Sequence, residues 1–220
     1  ARFRLLRYDT RGHGESGVTP GPYSIGQLAD DVVRLLDALG IERAHFCGLS
    51  MGGATGIRLA VHAPDRFERF VFCNTVPWPG PPAAMLDRAA LVRREGLEPL
   101  VDATMQRWFT AEFAARDPQA VERIRRAFLA TPREGYAACC EALAGYDERE
   151  HIARIIRPVL VVAGTHDPSP PLAAARDYAS HIPGAQFVEL PTAHLSNVGA
   201  AEEFGRVVSE FLEGRIGVSG

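Results

Sequence analysis

The chain has 220 residues, 46% of them apolar and 23% charged, with a net charge of −3, which suits one sizeable core, or one core with an inserted lobe, in an ordinary globular protein. No apolar run reaches membrane-spanning length, the opening Ala1-Arg2-Phe3-Arg4 has no signal-peptide hydrophobic region, and the dense basic cluster Arg123 to Arg126 sits in a helical pattern with Ile124 and Phe128 as a solvated face, so a cytoplasmic protein with no membrane or nucleic-acid partner is expected. The sequence contains no lysine, and its 24 basic residues other than histidine are all arginine, which excludes lysine Schiff-base chemistry, that of pyridoxal phosphate enzymes of the usual kind included.

The chain opens on a short strand pattern, Phe3-Arg4-Leu5-Leu6-Arg7-Tyr8, and passes into the loop-like octet Asp9-Thr10-Arg11-Gly12-His13-Gly14-Glu15-Ser16. His13 invites a catalytic reading, but Asp, Arg and His at this spacing serve better as mutual hydrogen-bond partners that brace a loop. From Ser24 to Leu39 the apolar residues Ile25, Leu28, Ala29, Val32, Leu35, Leu36 and Leu39 fall at helical spacing, with Ser24 as N-cap and Gly40 as the stop. The apolar run Ala44-His45-Phe46-Cys47 then reads as a strand, and it leads straight into Gly48-Leu49-Ser50-Met51-Gly52 and a helix from Gly53 to His62. A Gly-x-Ser-x-Gly pentapeptide between strand and helix has the form of a nucleophile elbow, in which small flanks allow a turn tight enough to lift the serine hydroxyl clear of the sheet.

A further strand, Arg69 to Cys73, ends at Asn74, and the alternation of strand and helix to this point predicts a parallel sheet covered by helices on both faces. After it Pro77, Pro79, Pro81 and Pro82 form a stiff junction, and from Ala83 to about Tyr146 all periodicity is helical. So long a helical block is too large for a connection, which divides the chain into a first core part, 1–75, an inserted helical lid, 76–150, and a second core part, 151–220. Trp78, Trp108, Phe109 and Phe113 supply the lid with apolar surface, and Arg107 and Arg133 are both candidate anion partners; Trp108 and Arg133 are the residues expected to line the substrate pocket.

The near-unbroken run Val159-Leu160-Val161-Val162-Ala163 is a strand buried on both faces, and Asp167 stands just past its carboxyl end. A helix, Leu172 to His181, a strand, Gln186 to Leu190, and a helix, Ala201 to Leu212, complete the chain, with His194 in the loop after the last strand and a frayed tail from Gly214. The four cysteines, Cys47, Cys73, Cys139 and Cys140, lack metal-site spacing and are expected as buried free thiols of a reducing compartment.

Ser50, Asp167 and His194 each follow a predicted parallel strand, so one sheet edge would collect a nucleophile, a carboxylate and an imidazole. A serine hydroxyl needs a base within hydrogen-bond reach, an imidazole can take its proton and return it, and a carboxylate fixes the imidazole tautomer. The other histidines are worse placed: His45 lies in a strand, His62 and His181 near helix ends, His151 in a connection and His166 beside the acid. Asn74 sits at a strand end but cannot act as a carboxylate. Charge on the attacked carbonyl oxygen would be met by the backbone N–H of Met51, at the start of the helix.

Asp-x-Arg-Gly-His-Gly-x-Ser followed by Gly-x-Ser-x-Gly resembles the α/β-hydrolase superfamily, and the order Ser50, Asp167, His194 is the triad order of that fold. The serine sets the chain apart from haloalkane dehalogenases and epoxide hydrolases, which use Asp at the elbow, and from dienelactone hydrolases, which use Cys. The resemblance also implies a second oxyanion donor on a loop that precedes Asp9, together with three strands; both are missing from the 220 residues, and the chain is expected to be part of a longer one.

Within the superfamily the sequence is similar to 3-oxoadipate enol-lactone hydrolases of bacterial aromatic catabolism, through Phe46 to Gly53, Phe72-Cys73-Asn74-Thr75, Arg107-Trp108-Phe109-Thr110, Gly135 to Leu143 and Ala193 to Val198. The segment Thr165-His166-Asp167-Pro168-Ser169-Pro170-Pro171 is a proline-rich departure. The resemblance implies acyl transfer from a small anionic lactone to Ser50, with no cofactor and no metal. Alternatives at the same site are a carboxylesterase or a cofactor-free perhydrolase of the haloperoxidase type; from another class, a binding protein that keeps the pocket but not the chemistry.

Overall fold

The computed structural model describes residues 2–215. Four strands, β1 (Ala44–Leu49), β2 (Phe67–Cys73), β3 (Val159–Gly164) and β4 (Gln186–Leu190), lie side by side in the order β1-β2-β3-β4, and every pair is parallel. Every residue of β3 is buried, as its unbroken apolar run requires. Because successive side chains alternate between faces, Phe70, Phe72, Val159, Val161 and Ala163 join one core with helices α1 (Ile25–Ala38), α2 (Met51–His62) and α8 (Leu172–Ser180). Val71, Cys73, Leu160 and Val162 face the opposite way, onto Val207 and Phe211 of α10 (Ala201–Leu212). Both faces of the sheet are thus covered. Each of these large apolar side chains stabilises the fold by about 1.5–3 kcal/mol on burial.

Helix α1 begins where its cap residue dictates: the Ser24 hydroxyl accepts from the Gln27 N–H at 3.0 Å. Its apolar stripe, Ile25, Leu28, Ala29, Val32 and Leu36, is buried, and Gly40, at φ 65°, ends it.

The stretch between β2 and β3 is helical, as expected: α3 (Ala83–Glu95), α4 (Val101–Trp108), α5 (Ala111–Arg116), α6 (Pro118–Leu129) and α7 (Arg133–Ala144). It has its own core of Val92, Leu97, Val101, Met105, Phe109, Phe113, Ala120 and Phe128, against which Leu195 and Val198, from the short helix α9 (Ser196–Gly199) and the residue before it, are packed. Its two ends meet. The Glu148 N–H donates to the Pro77 carbonyl at 2.8 Å, and the Arg149 guanidinium lies 4.0 Å from the Trp78 ring centroid. Trp78 is therefore spent on this neck rather than on apolar surface above the sheet edge. Arg125 and Arg126 of α6 pair with Asp102 and Glu122 on an exposed face, consistent with a solvated helix surface.

Two further expectations fail. Residues 3–8 form no strand, because a strand exists only when a neighbour supplies its ladder, and among the described residues none pairs with this segment, although the Phe3 ring packs edge-on to His45 of β1; Phe3, Leu5, Leu6 and Tyr8 are exposed. Cys47 is exposed rather than buried: it lies on end strand β1, while the α10 core is built on residues of β2, β3 and β4. Most of the expected frayed tail, 216–220, lies outside the described residues.

Candidate active site

Because all four strands run the same way, the residues that follow them share one edge. Ser50 stands between β1 and α2 with φ 55° and ψ −117°, a left-handed conformation that costs a non-glycine residue about 1–3 kcal/mol. Backbone bonds on both sides offset this: the Ser50 N–H donates to the Cys73 carbonyl at 2.9 Å, and the Thr75 hydroxyl donates to the Ser50 carbonyl at 2.9 Å. The close approach behind the elbow explains the glycines, with one revision. A Cβ on Gly48 would collide with the Gly52 carbonyl and one on Gly53 with the Thr75 side chain, but a Cβ on Gly52 would meet open space. The tight flanks of the turn are Gly48 and Gly53.

Asp167 follows β3 and His194 follows β4, and the two side chains meet: His194 Nδ1 donates to Asp167 Oδ2 at 2.8 Å, with both groups almost wholly buried. Asp167 Oδ2 also accepts from Asn74 Nδ2 at 2.8 Å, and Oδ1 accepts from the Ser169 N–H at 2.9 Å. Asn74 Oδ1 in turn accepts from the Ser196 hydroxyl at 2.5 Å. With Ser50, Asn74 completes the pair of non-glycine residues held at positive φ (46° for Asn74) among the described residues, and both belong to this edge. Asn74 is the member that the sequence reading left idle, although its place at a strand end was the available signal. His194 is engaged through Nδ1, so Nε2 is the nitrogen available to act as a base. Met51 opens α2, and Ser50 makes no side-chain cap on that helix, so the first N–H groups remain available to an anion.

The octet braces its loop, with partners partly different from those expected. Arg11 forks onto Asp31 of α1 at 2.7 and 2.6 Å, the Asp9 carboxylate accepts from the Glu15 N–H at 2.9 Å, and His13 Nδ1 lies 3.5 Å from the Arg11 carbonyl and 3.9 Å from Cys139 Sγ. Burial lowers the His13 pKa, which keeps the ring neutral. The loop lies against α7 so closely that a Cβ on either Gly12 or Gly135 would strike the other's backbone.

Of the two arginines expected as anion partners, Arg133 is exposed on α7, with Nη1 3.4 Å from the Arg93 carbonyl. Arg107 is half-buried on α4. Burial first, and neighbouring Arg88 second, lower its pKa, while Tyr136, Asp167 and Cys140 act in the other direction. Among the described residues no carboxylate forms a salt bridge with Arg107. Trp108, beside it, packs edge-on to Phe128 at 5.6 Å and lines a cavity of about 750 Å³ with Phe109, Phe113, Ala193 and Val198. Ser50 and His194 do not line that cavity. The His194 loop and α4 are tied directly, the Leu195 N–H donating to the Trp108 carbonyl at 3.2 Å.

A parallel sheet with a strained serine at one strand end and an Asp–His pair at two others is the arrangement of a serine hydrolase. A family model described as the alpha/beta hydrolase fold matches residues 1–200, and the chain belongs to that family. It is 42% identical over 212 residues, 96% of this chain and 79% of the relative, to 3-oxoadipate enol-lactonase 2 of Acinetobacter baylyi. The crystal structure of an enol-lactonase from Burkholderia xenovorans superposes with a TM-score of 0.94 at 47% identity, covering 96% of this chain and 81% of that one. A thermophilic esterase from Thermogutta terrifontis, studied with malate bound, superposes at 0.89 with 32% identity, covering 93% and 78%. The chain is thus a hydrolase most like the enol-lactonases among these three. None of its described helices is long and apolar enough to cross a membrane.

Proposed function

We propose that the chain opens a small, carboxylate-bearing lactone, of the 3-oxoadipate enol-lactone kind met in aromatic catabolism, by acyl transfer through Ser50, with residues 76–150 as a lid over the site. His194 Nε2 takes the Ser50 proton as the oxygen attacks the lactone carbonyl, and Asp167 stabilises the imidazolium that results. The Met51 N–H meets the charge on the carbonyl oxygen. Collapse of the tetrahedral intermediate breaks the ring C–O bond; the leaving enolate takes the proton back from His194 and settles as a ketone. Water, deprotonated by His194, then attacks the acyl-enzyme and frees the carboxylate product and Ser50. This chemistry requires neither metal nor cofactor.

The observation that carries the reading is the Asp167–His194 bond of 2.8 Å, buttressed by Asn74, at the edge where Ser50 is held in a left-handed turn. Arg107 is the anchor for the substrate carboxylate, since a half-buried guanidinium beside a like charge gains most from an anion. Its partner Arg88 donates to the Tyr136 hydroxyl at 3.4 Å. Two measurements test the proposal. A fluorophosphonate probe is expected to label the chain and to fail on Ser50→Ala; labelling that persists would remove Ser50 as nucleophile. Arg107→Ala is expected to raise KM for an anionic enol-lactone about tenfold or more, the scale of one lost charge-assisted hydrogen bond, while KM for a neutral aryl ester stays put. An equal change for both substrates would reject Arg107 as the anchor, and turnover of aryl esters alone would favour the carboxylesterase alternative.

A further inference from the structure

At the other end of α2 from Ser50 lies a group of side chains the hydrolytic chemistry does not use. Glu148, buried to 2% exposure, sits where the helical block rejoins the sheet. One of its oxygens, Oε1, accepts from Arg58 Nη1 at 2.6 Å and lies 3.3 Å from His62 Nε2; the other, Oε2, accepts from His151 Nδ1 at 2.6 Å. The two imidazoles, 5.9 Å apart between ring centroids, converge on one carboxylate from two separate segments of the chain. One ligand atom from each of His62, Glu148 and His151 lies within 4.8 Å of the other two.

We propose that His62, Glu148 and His151 form a binding site for a divalent transition cation of the zinc type, separate from the hydrolytic site. Two imidazole nitrogens and one carboxylate oxygen are a donor set zinc favours, with a fourth position left to water. Ligand atoms held tetrahedrally at zinc distances stand about 3.4 Å apart. The separations from Glu148, 2.6 Å to His151 and 3.3 Å to His62, lie under that value, so small side-chain rotations admit the ion. Arg58 then orients the carboxylate from outside the coordination sphere. His62 is exposed and His151 half-exposed, and His151 opens on a depression of about 610 Å³ lined also by Asp147, Arg149 and Glu150, which gives a cation its route in. On binding, the cation takes the place of the hydrogen between His151 Nδ1 and Glu148, and the imidazole carries its proton on Nε2 instead. A cation here would join the last turn of α2 to the neck at Pro77 and Glu148.

The test is calorimetric titration of Zn²⁺ into the full chain, prepared without a polyhistidine tag and stripped with a chelator. One equivalent is expected to bind. His62→Ala and His151→Ala should each weaken binding by about tenfold or more, the scale on which metal sites respond to altered ligation, whereas His181→Ala, whose Nδ1 is turned to the Asp177 carbonyl at the end of α8, should not. Co²⁺ in place of Zn²⁺ should give visible absorption bands that both site variants lose. Circular dichroism identifies a variant that has not folded, in which case His62→Gln and His151→Asn, which keep volume, are titrated instead. Absence of stoichiometric binding, or unchanged affinity in both site variants, overturns the proposal.

Discussion

A buried carboxylate must find hydrogen-bond partners for its lone pairs or become easier to protonate. Asp167 meets that demand with His194, Asn74 and the Ser169 N–H, and Asn74 meets it again with Ser196. Removing the amide should therefore do two separable things. Asn74→Ala is expected to lower the free energy of unfolding by about 1–3 kcal/mol, the cost of leaving buried partners unpaired, and to lower kcat while KM holds. Asn74→Asp, which keeps the shape but puts a second negative charge beside Asp167, should move the acid limb of the kcat/KM profile to higher pH. Wild-type kcat in the alanine variant and an unmoved profile in the aspartate variant would reduce Asn74 to a packing residue. Ser50, Asp167 and His194 were legible because each ends a strand that its own apolar run announces. Asn74 ends one too, yet its role lies in a contact 93 residues away along the chain, and no local pattern encodes that.

At the scale of elements, the pentapeptide marked the turn but not which of its glycines the packing requires. Gly48→Ala would drive a methyl group into the Gly52 carbonyl and is expected to destabilise by about 1–3 kcal/mol or more, the range of overpacked interiors. Gly52→Ala points into open space within the first turn of α2 and should leave stability unchanged or raise it by up to about 1 kcal/mol through the unfolded chain. Denaturant midpoints at constant slope read both; equal losses would show that the elbow tolerates neither. The four helices outside the inserted block for which the sequence set limits, and the four strands, fell close to those limits because the 3.6 and 2.0 periodicities are strong there. Residues 3–8 carried the same alternation without becoming a strand: an apolar pattern states a preference, and only a hydrogen-bonded neighbour turns it into a ladder.

At the scale of the whole molecule, the helical block leaves the sheet at Pro77 and returns at Glu148, two residues joined by a single backbone hydrogen bond. The block bears Arg107, while the sheet bears Ser50, Asn74, Asp167 and His194. A chimaera carrying the equivalent segment of an esterase relative in place of residues 78–147 is thus expected to keep fluorophosphonate labelling at Ser50 while losing its preference for anionic lactones over neutral esters. A folded chimaera that no longer labels would show that the block shapes the reacting groups themselves. The existence of this block was plain from the missing strand signal between Asn74 and Val159, but its closed neck was not, since proline-rich text describes stiffness and says nothing of where the far end returns.

That closed neck bears on inheritance. A gene segment whose protein product begins and ends at the same point in space can be exchanged, or can drift, without altering the register of the strands beneath it. Selection can then change what such a catalyst feeds on while the atoms that make and break bonds stay as they were.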